Sequence, residues 1–285
     1  MSDWRPSPQA EELVARVTEL AAPAPTVVNL IGLLNRPDVD QAAVEQAVEH
    51  DPALSAKLLA LANSAYFGLQ RPVASLPEVL FYLGHAEVYR LAIAVSLSGI
   101  LNRKASAYAM DEGELWRHSL LTAKVAELLA DAVESAQLDE STAYTAGLLH
   151  DLGKIIFNQV LPIETQEALN RAIEKGSSSV VAERQLLGTD HAEAGACLLR
   201  QWNFPGPVVE AIASHERLRP GASFDLAALV YFANGIAHRA QKCSEAEAKA
   251  LGSQAEELGL QRDLIEHSIT RAAELQPLLE GLHAL

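Results

Sequence analysis

The sequence predicts an all-α protein, and three observations carry that reading. Apolar residues recur at spacings of three and four along most of the chain, the pattern of one buried helical face. Prolines and capping side chains stand where these segments begin, and no stretch alternates apolar and polar residues for a useful strand length. Hydrophobic residues make up 49% of the chain but aromatics only 5%, so the interior should be built from aliphatic helix formers. With 285 residues there is material for two modest domains or one large one.

Behind Pro8, the residues Leu13, Val14, Val17 and Leu20 mark a first helix, which Pro23 and Pro25 end before the next opens. The second runs from Thr26 to about Asn35, with Val27, Leu30, Ile31 and Leu34 on one face. Asp40 reads as the N-cap of an Ala-rich helix through Val48. Asp51-Pro52 is a start signal, a capping acceptor followed by proline where its missing N–H costs nothing. The helix it opens buries Leu54, Leu58, Leu59 and Leu61 and runs to about Ser64. Tyr66 to Pro72 is a breaker-rich loop with two aromatics, Pro77 opens a short helix ending at Gly84, and a helix from about Ala86 to Leu101 is apolar almost all round. His50 and His85, at helix ends, read as structural or solvated, while Asn63 and Ser64 either contact a ligand or end their helix.

The second half is where chemistry enters. A long helix from Glu114 to Val133 turns Leu115, Leu121, Val125, Leu128 and Leu129 inward and carries His118, by spacing alone a core histidine. Glu140 to His150 forms the next helix and delivers the stretch Gly147-Leu148-Leu149-His150-Asp151-Leu152-Gly153-Lys154. Neighbours on a helix project about 100° apart. One helix end can therefore offer the imidazole of His150 and the carboxylate of Asp151 to a single ion, a ligand mixture divalent metals accept. Lys154 fits either a phosphate contact or a surface lysine near a helix start. Residues 164 to 175 read as a charged solvent-facing helix, and Gly176 with three serines as a hinge-like loop. Asp190 and Glu193 fit a capping box around His191, and another helix leads to His215. Ser244 with Glu247 forms a second such box, with Leu258-Gly259-Leu260 as a turn between short amphipathic helices. His238, His267 and His283 read as solvated.

The bulk charge narrows the function. With 22 basic against 37 acidic residues the formal charge is −15, which repels phosphate backbones and excludes broad DNA or RNA binding, though not a small anion. Cys197 and Cys243 read as reduced buried thiols, in keeping with a cytoplasmic setting. The N-terminus lacks the apolar core of a signal peptide, and no apolar run approaches the ~20 residues of a membrane span.

The run Asp51-Pro52-Ala53-Leu54-Ser55-Ala56-Lys57-Leu58-Leu59-Ala60-Leu61-Ala62-Asn63-Ser64-Ala65-Tyr66-Phe67-Gly68 resembles the signature of the HDOD family, the HD-related output domains of bacterial signalling proteins. Trp116-Arg117-His118-Ser119 and the Gly147 to Lys154 stretch resemble the same family in the same order, so the likeness covers about residues 15 to 240. It implies a multi-helix HD-like bundle, with an N-terminal helical subdomain at 1–108 and an HD-like subdomain at 109–243; beyond it, the capped tail reads as a helical extension at 244–285. It also implies metal ligands. His118 matches the first histidine of the HD pattern and joins His150 and Asp151, while His191 and His215 extend the set. Asn234 stands where the pattern has its last aspartate, and an amide oxygen can coordinate but brings no negative charge. Ser214 replaces the first histidine of a His-His-Glu motif, and Arg217-Leu218-Arg219-Pro220-Gly221 replaces the Asp-Gly-x-Gly-Tyr-Pro run of cyclic-di-GMP phosphodiesterases. Glu114 matches a glutamate some HD enzymes give to an extra metal, though a solvated first-turn acid explains it as well. The donor set suits Fe, Zn or Mn. Because HDOD members are mostly regarded as regulatory, the expectation is a signal-transduction module with an eroded metal site that binds a signalling protein or a small nucleotide. The alternative is a metal-dependent phosphohydrolase acting on a nucleotide or phosphate ester.

Overall fold

The computed structural model describes residues 4–17, 48, 51–64, 66–133, 138–218, 224–242 and 245–280. The helices expected over 26–35 and 40–48, the Ser244 cap, and His50, Cys243 and His283 lie outside these residues, apart from Val48. Among the described residues the structure is helical throughout, with one isolated antiparallel bridge between Ala105 and Met110 and no strand.

Helix α1 (Pro8–Ala15) begins where Ser7 Oγ accepts from the Ala10 amide and Pro8 takes the first position. Helix α2 (Pro52–Ala62) opens on Asp51, whose Oδ1 accepts from the Leu54 amide at 3.0 Å. Asn63 closes it in a structural role: its side chain bonds the Leu59 carbonyl and brackets Val73 through both N–H and C=O, folding the aromatic loop back onto α2. Helix α3 (Leu76–Leu101) joins the two expected helices across a kink at Gly84, whose φ of +76° only glycine adopts cheaply. By length and composition α3 could cross a membrane, with mean hydropathy 1.2, but 56% of that window is buried in the fold, as in the core helix of a globular domain.

After a single 3₁₀ turn (Ser106–Tyr108) come α4 (Glu114–Ala132), α5 (Glu140–Leu149), α6 (Leu152–Val160), α7 (Ile163–Glu174), α8 (Ser179–Leu187), α9 (His191–Gln201), α10 (Gly206–Ser214) and α11 (Leu226–Lys242). Helices α12 (Glu245–Glu257) and α13 (Arg262–Glu280) follow, hinged at Gly259 with φ +82°. Helix α13 is longer than its amphipathic pattern suggested, because Pro277 lies inside it without ending it.

One apolar cluster runs from Leu13 through α2 to α6 and α9 to α13 as far as Leu279. Helix α4 packs on α5, α11 and α13, while α6 packs on α9, which in turn packs on α10. Three glycines set how closely these helices meet. A Cβ on Gly147 would lie 2.9 Å from Ala123 Cα of α4, one on Gly195 would lie 3.0 Å from the Gly153 nitrogen, and one on Gly153 would lie 1.9 Å from the His191 carbonyl oxygen. The glycines flanking the His150-Asp151 pair therefore serve helix contact.

An ion network around the buried Arg90, its other members partly exposed, ties α3, α4 and α5 together. Arg90, on α3, pairs with Glu127, with Glu140 at 3.1 Å and with Glu87 at 3.5 Å, and Lys124 reaches Glu87 at 2.7 Å. Burial alone would lower the Lys124 ammonium, but Glu87 and Tyr66 outweigh it and hold it above its ordinary value.

Candidate metal centre

The His150-Asp151 pair sits at a junction rather than on one helix end. His150 caps the C-terminus of α5 and Asp151 the N-terminus of α6, where its carboxylate bonds no backbone amide and is left for other partners. Around it converge His118 from α4, His191 from the first position of α9, His215 from the C-cap of α10 and Asn234 from α11. All six residues expected at the site come together, and all six are buried.

Asp151 is the hub. Its Oδ2 lies 3.3 Å from His150 Nε2, 3.6 Å from His118 Nε2 and 2.6 Å from Lys154 Nζ, and its Oδ1 lies 3.2 Å from His191 Nε2. Lys154 is itself buried, its ammonium 5.5 Å from the Tyr108 ring centre, so the surface-lysine alternative falls. Burial would raise the Asp151 carboxyl, but His150 and Lys154 hold it well below the usual carboxylate range.

The rings are aimed. His150 Nδ1 donates to the Gly147 carbonyl and His215 Nδ1 to the Ile212 carbonyl, each at 2.7 Å. A carbonyl only accepts, so both rings carry their proton on Nδ1 and turn the Nε2 lone pair inward. His191 Nδ1 is held by Glu183 at 2.8 Å, and that carboxylate also accepts from the His191 amide at 2.8 Å and the Tyr108 hydroxyl at 2.7 Å. Burial would lower His191, yet Glu183 lifts it well above the usual imidazole range; His118 and His150 are pushed down, chiefly by burial. The Nε2 atoms of His150, His191 and His215 and the Oδ1 of Asp151 are buried without a hydrogen bond. Four such orphans in one place are costly unless something meets them. Rings fixed from behind by carbonyls or a carboxylate, with inward Nε2 atoms and an acid between them, match the donor chemistry of a divalent ion.

Sequence reasoning missed four neighbours. Glu216 Oε1 lies 3.3 Å from both His191 Nε2 and His215 Nε2, adding a second carboxylate. Within 4.8 Å of one another lie the donors of Asp151, His191, His215 and Glu216, and likewise those of His118, His150 and Asp151. A signal for Glu216 existed: His215-Glu216 repeats the His-acid adjacency of His150-Asp151. His238 keeps solvent exposure, as expected, yet its ring stacks on His118 with centroids 4.3 Å apart. It stands one helical turn beyond Asn234, a spacing that shares a face. Nothing local marked Glu183 or Tyr108. The capping box at α9 is half formed: Asp190 accepts from the Glu193 amide, but Glu193 bonds the Ser7 amide and Thr189 hydroxyl instead of reaching back. Glu114 accepts from the Asp111 amide at 2.7 Å, a bond at its own helix start.

The model of the HDOD domain matches residues 20–218. The chain belongs to the HDOD family. This HDOD protein is 26% identical over 227 residues to an uncharacterised protein of Treponema pallidum, a match covering 79% of the chain and 43% of that relative, so it spans less than half of the relative's length. Among solved structures, it resembles an HDOD domain protein of unknown function from Geobacter sulfurreducens, with 24% identity, TM-score 0.78 and coverage of 96% and 97% of the two chains. A proposed phosphohydrolase from Shewanella amazonensis matches at 24% identity and TM-score 0.76, covering 98% and 99%. A proposed signal transduction protein from Marinobacter aquaeolei matches at 22% and TM-score 0.78, covering 97% of this chain and 65% of its own. These likenesses establish the all-α HDOD fold expected from the sequence.

Proposed function

We propose that this HDOD protein is a regulatory signal-transduction module of the bacterial cytoplasm, with an eroded HD-type centre that holds a divalent Fe, Zn or Mn ion. Its output passes through a bound signalling protein or a small nucleotide. The observation that carries this reading is burial: His150, Asp151, His191 and His215 are each 0% exposed. The enclosure suits an ion and leaves little approach for a phosphate ester, whereas hydrolysis needs an open coordination position and a path to it. Asn234 adds to the case, since an amide there withholds a negative charge the ion would attract strongly. The Nε2 atoms of His150, His191 and His215 and the carboxylates of Asp151 and Glu216 would hold the ion. When bound, a divalent ion supplies positive charge and Lewis acidity. The chain's own part is to fix the rings through Gly147, Ile212 and Glu183 and to tie α5, α6, α9 and α10 at one point. The signal transduction name carried by the Marinobacter aquaeolei neighbour is in keeping with this reading.

A second reading, a metal-dependent phosphohydrolase of nucleotides or phosphate esters, is favoured by Glu216. Its side chain is 25% exposed beside otherwise enclosed donors, the place from which a base or substrate contact would act. The Shewanella amazonensis neighbour bears a matching name. Metal analysis of the purified protein, paired with phosphodiesterase and phosphatase assays in Mn²⁺, Mg²⁺ or Fe²⁺, separates the two. Bound metal without turnover is the expected result; turnover that disappears in His150→Ala overturns the regulatory reading.

A further inference from the structure

We infer that the centre takes one metal ion rather than two, and that Lys154 is a built-in cation occupying the second place. The inference rests on the metal-binding reading above and concerns how the donors divide around Asp151. On the Oδ1 side stand His191, His215 and Glu216. There Asp151 Oδ1 and both Nε2 atoms lack a hydrogen bond, and both rings are fixed from behind.

The Oδ2 side differs. Lys154 Nζ donates to Oδ2 at 2.6 Å, and His118 Nε2 lies 3.0 Å from Asn234 Oδ1. That oxygen only accepts, so His118 Nε2 donates to it and is engaged within the protein. Turning the amide over would place an N–H against Nε2, and the lone pair would be engaged all the same. His118 and Asn234 thus satisfy each other. A dication beside Nζ would compete with the ammonium for one oxygen and meet like charge in a poorly screened interior. The ammonium is not easily displaced, because Lys154 is 6% exposed and lies over Tyr108, whose hydroxyl is anchored on Glu183. His150 Nε2 makes no hydrogen bond and lies 3.3 Å from Oδ2, with its ring 5.1 Å from that of His215 and 5.2 Å from that of His118, so it stands between the two sides. The single ion therefore belongs to Asp151 Oδ1, His191, His215 and Glu216, with His150 adjoining, and His118 is a hydrogen-bonding support.

The test counts metal. The full chain is loaded with Mn²⁺, dialysed, and its metal-to-protein ratio measured by elemental analysis, with the electron paramagnetic resonance spectrum distinguishing isolated from coupled Mn²⁺. Wild type should hold one isolated ion per chain, and His191→Ala should weaken it more than about 100-fold, beyond the range for residues that only orient ligands. His118→Ala should keep the ion. Lys154→Met should admit a second, coupled ion, while the charge-keeping Lys154→Arg should stay at one. Two ions in wild type, or one that survives His191→Ala and is lost in His118→Ala, would overturn the inference. No bound metal in any variant would instead bring down the metal-binding reading beneath it. If Lys154→Met does not fold, the wild-type count and the two histidine variants decide the question.

Discussion

At the scale of single residues, the centre depends on side chains standing behind the donors. Glu183 accepts three hydrogen bonds, two from His191 and one from Tyr108, and is 0% exposed. Glu183→Gln keeps the shape and removes the charge that holds the ring. We expect its metal affinity to fall about 10- to 100-fold, read by titration against a competing chelator; an unchanged affinity would mean that His191 needs no orienting partner. Cys197 offers a pH test away from the centre. Burial, with Glu11 nearby, pushes its thiol up from 9.0 to about 11. A proton is therefore held more tightly in the folded chain, so stability contributed by the neutral thiol is complete below pH 9 and is lost as the pH rises through about 11. In a Cys243→Ser background, iodoacetamide should label native protein poorly at pH 8 and rapidly in denaturant. Rapid native labelling at pH 8 would show that the thiolate forms readily in the fold.

At the scale of helices, caps and breakers explain where elements begin, and missing side chains explain how near they come. Ser7, Asp51, Ser75, Asp139 and Ser178 each accept from an amide at a helix start. Of these Asp51 was readable as a cap, Pro8, Pro77 and Glu140 marked three other starts, and the helix behind Ser178 stands where the sequence suggested only a loop. Gly153 is different, because its importance lies in a partner 38 positions away. A Cβ there would sit 1.9 Å from the His191 carbonyl oxygen, which is backbone and has no rotamer to change. Gly153→Ala should cost about 3 kcal/mol or more, a fall in melting temperature of about 6–12 °C, and should push α6 from α9, parting Asp151 from His191. A melting temperature within a degree of wild type would show that the two helices are not so closely apposed.

At the scale of the molecule, the centre joins segments spread from α4 to α11, so an ion bound there is linked to folding. Free metal at 100 times its dissociation constant stabilises by about 2.7 kcal/mol, so stripping it with a chelator should lower the melting temperature by roughly 5–10 °C. No change on chelation, in protein shown to hold metal, would mean that the ion does not tie these helices. Much of this architecture was legible beforehand. Most helix segments, a break at Gly84 and the adjacency of His150 and Asp151 follow from neighbours within one or two turns, and the lack of apolar-polar alternation already argued against a strand-rich core. Likeness to the HDOD motifs then brought in His118, His191, His215 and Asn234. Glu183, Tyr108 and the burial of Lys154 against Asp151 were decided by tertiary structure alone. Caps and hydrophobic periodicity act along the chain, whereas the approach of helices dozens of residues apart depends on how their surfaces pack, and no local pattern records which acid will face which imidazole.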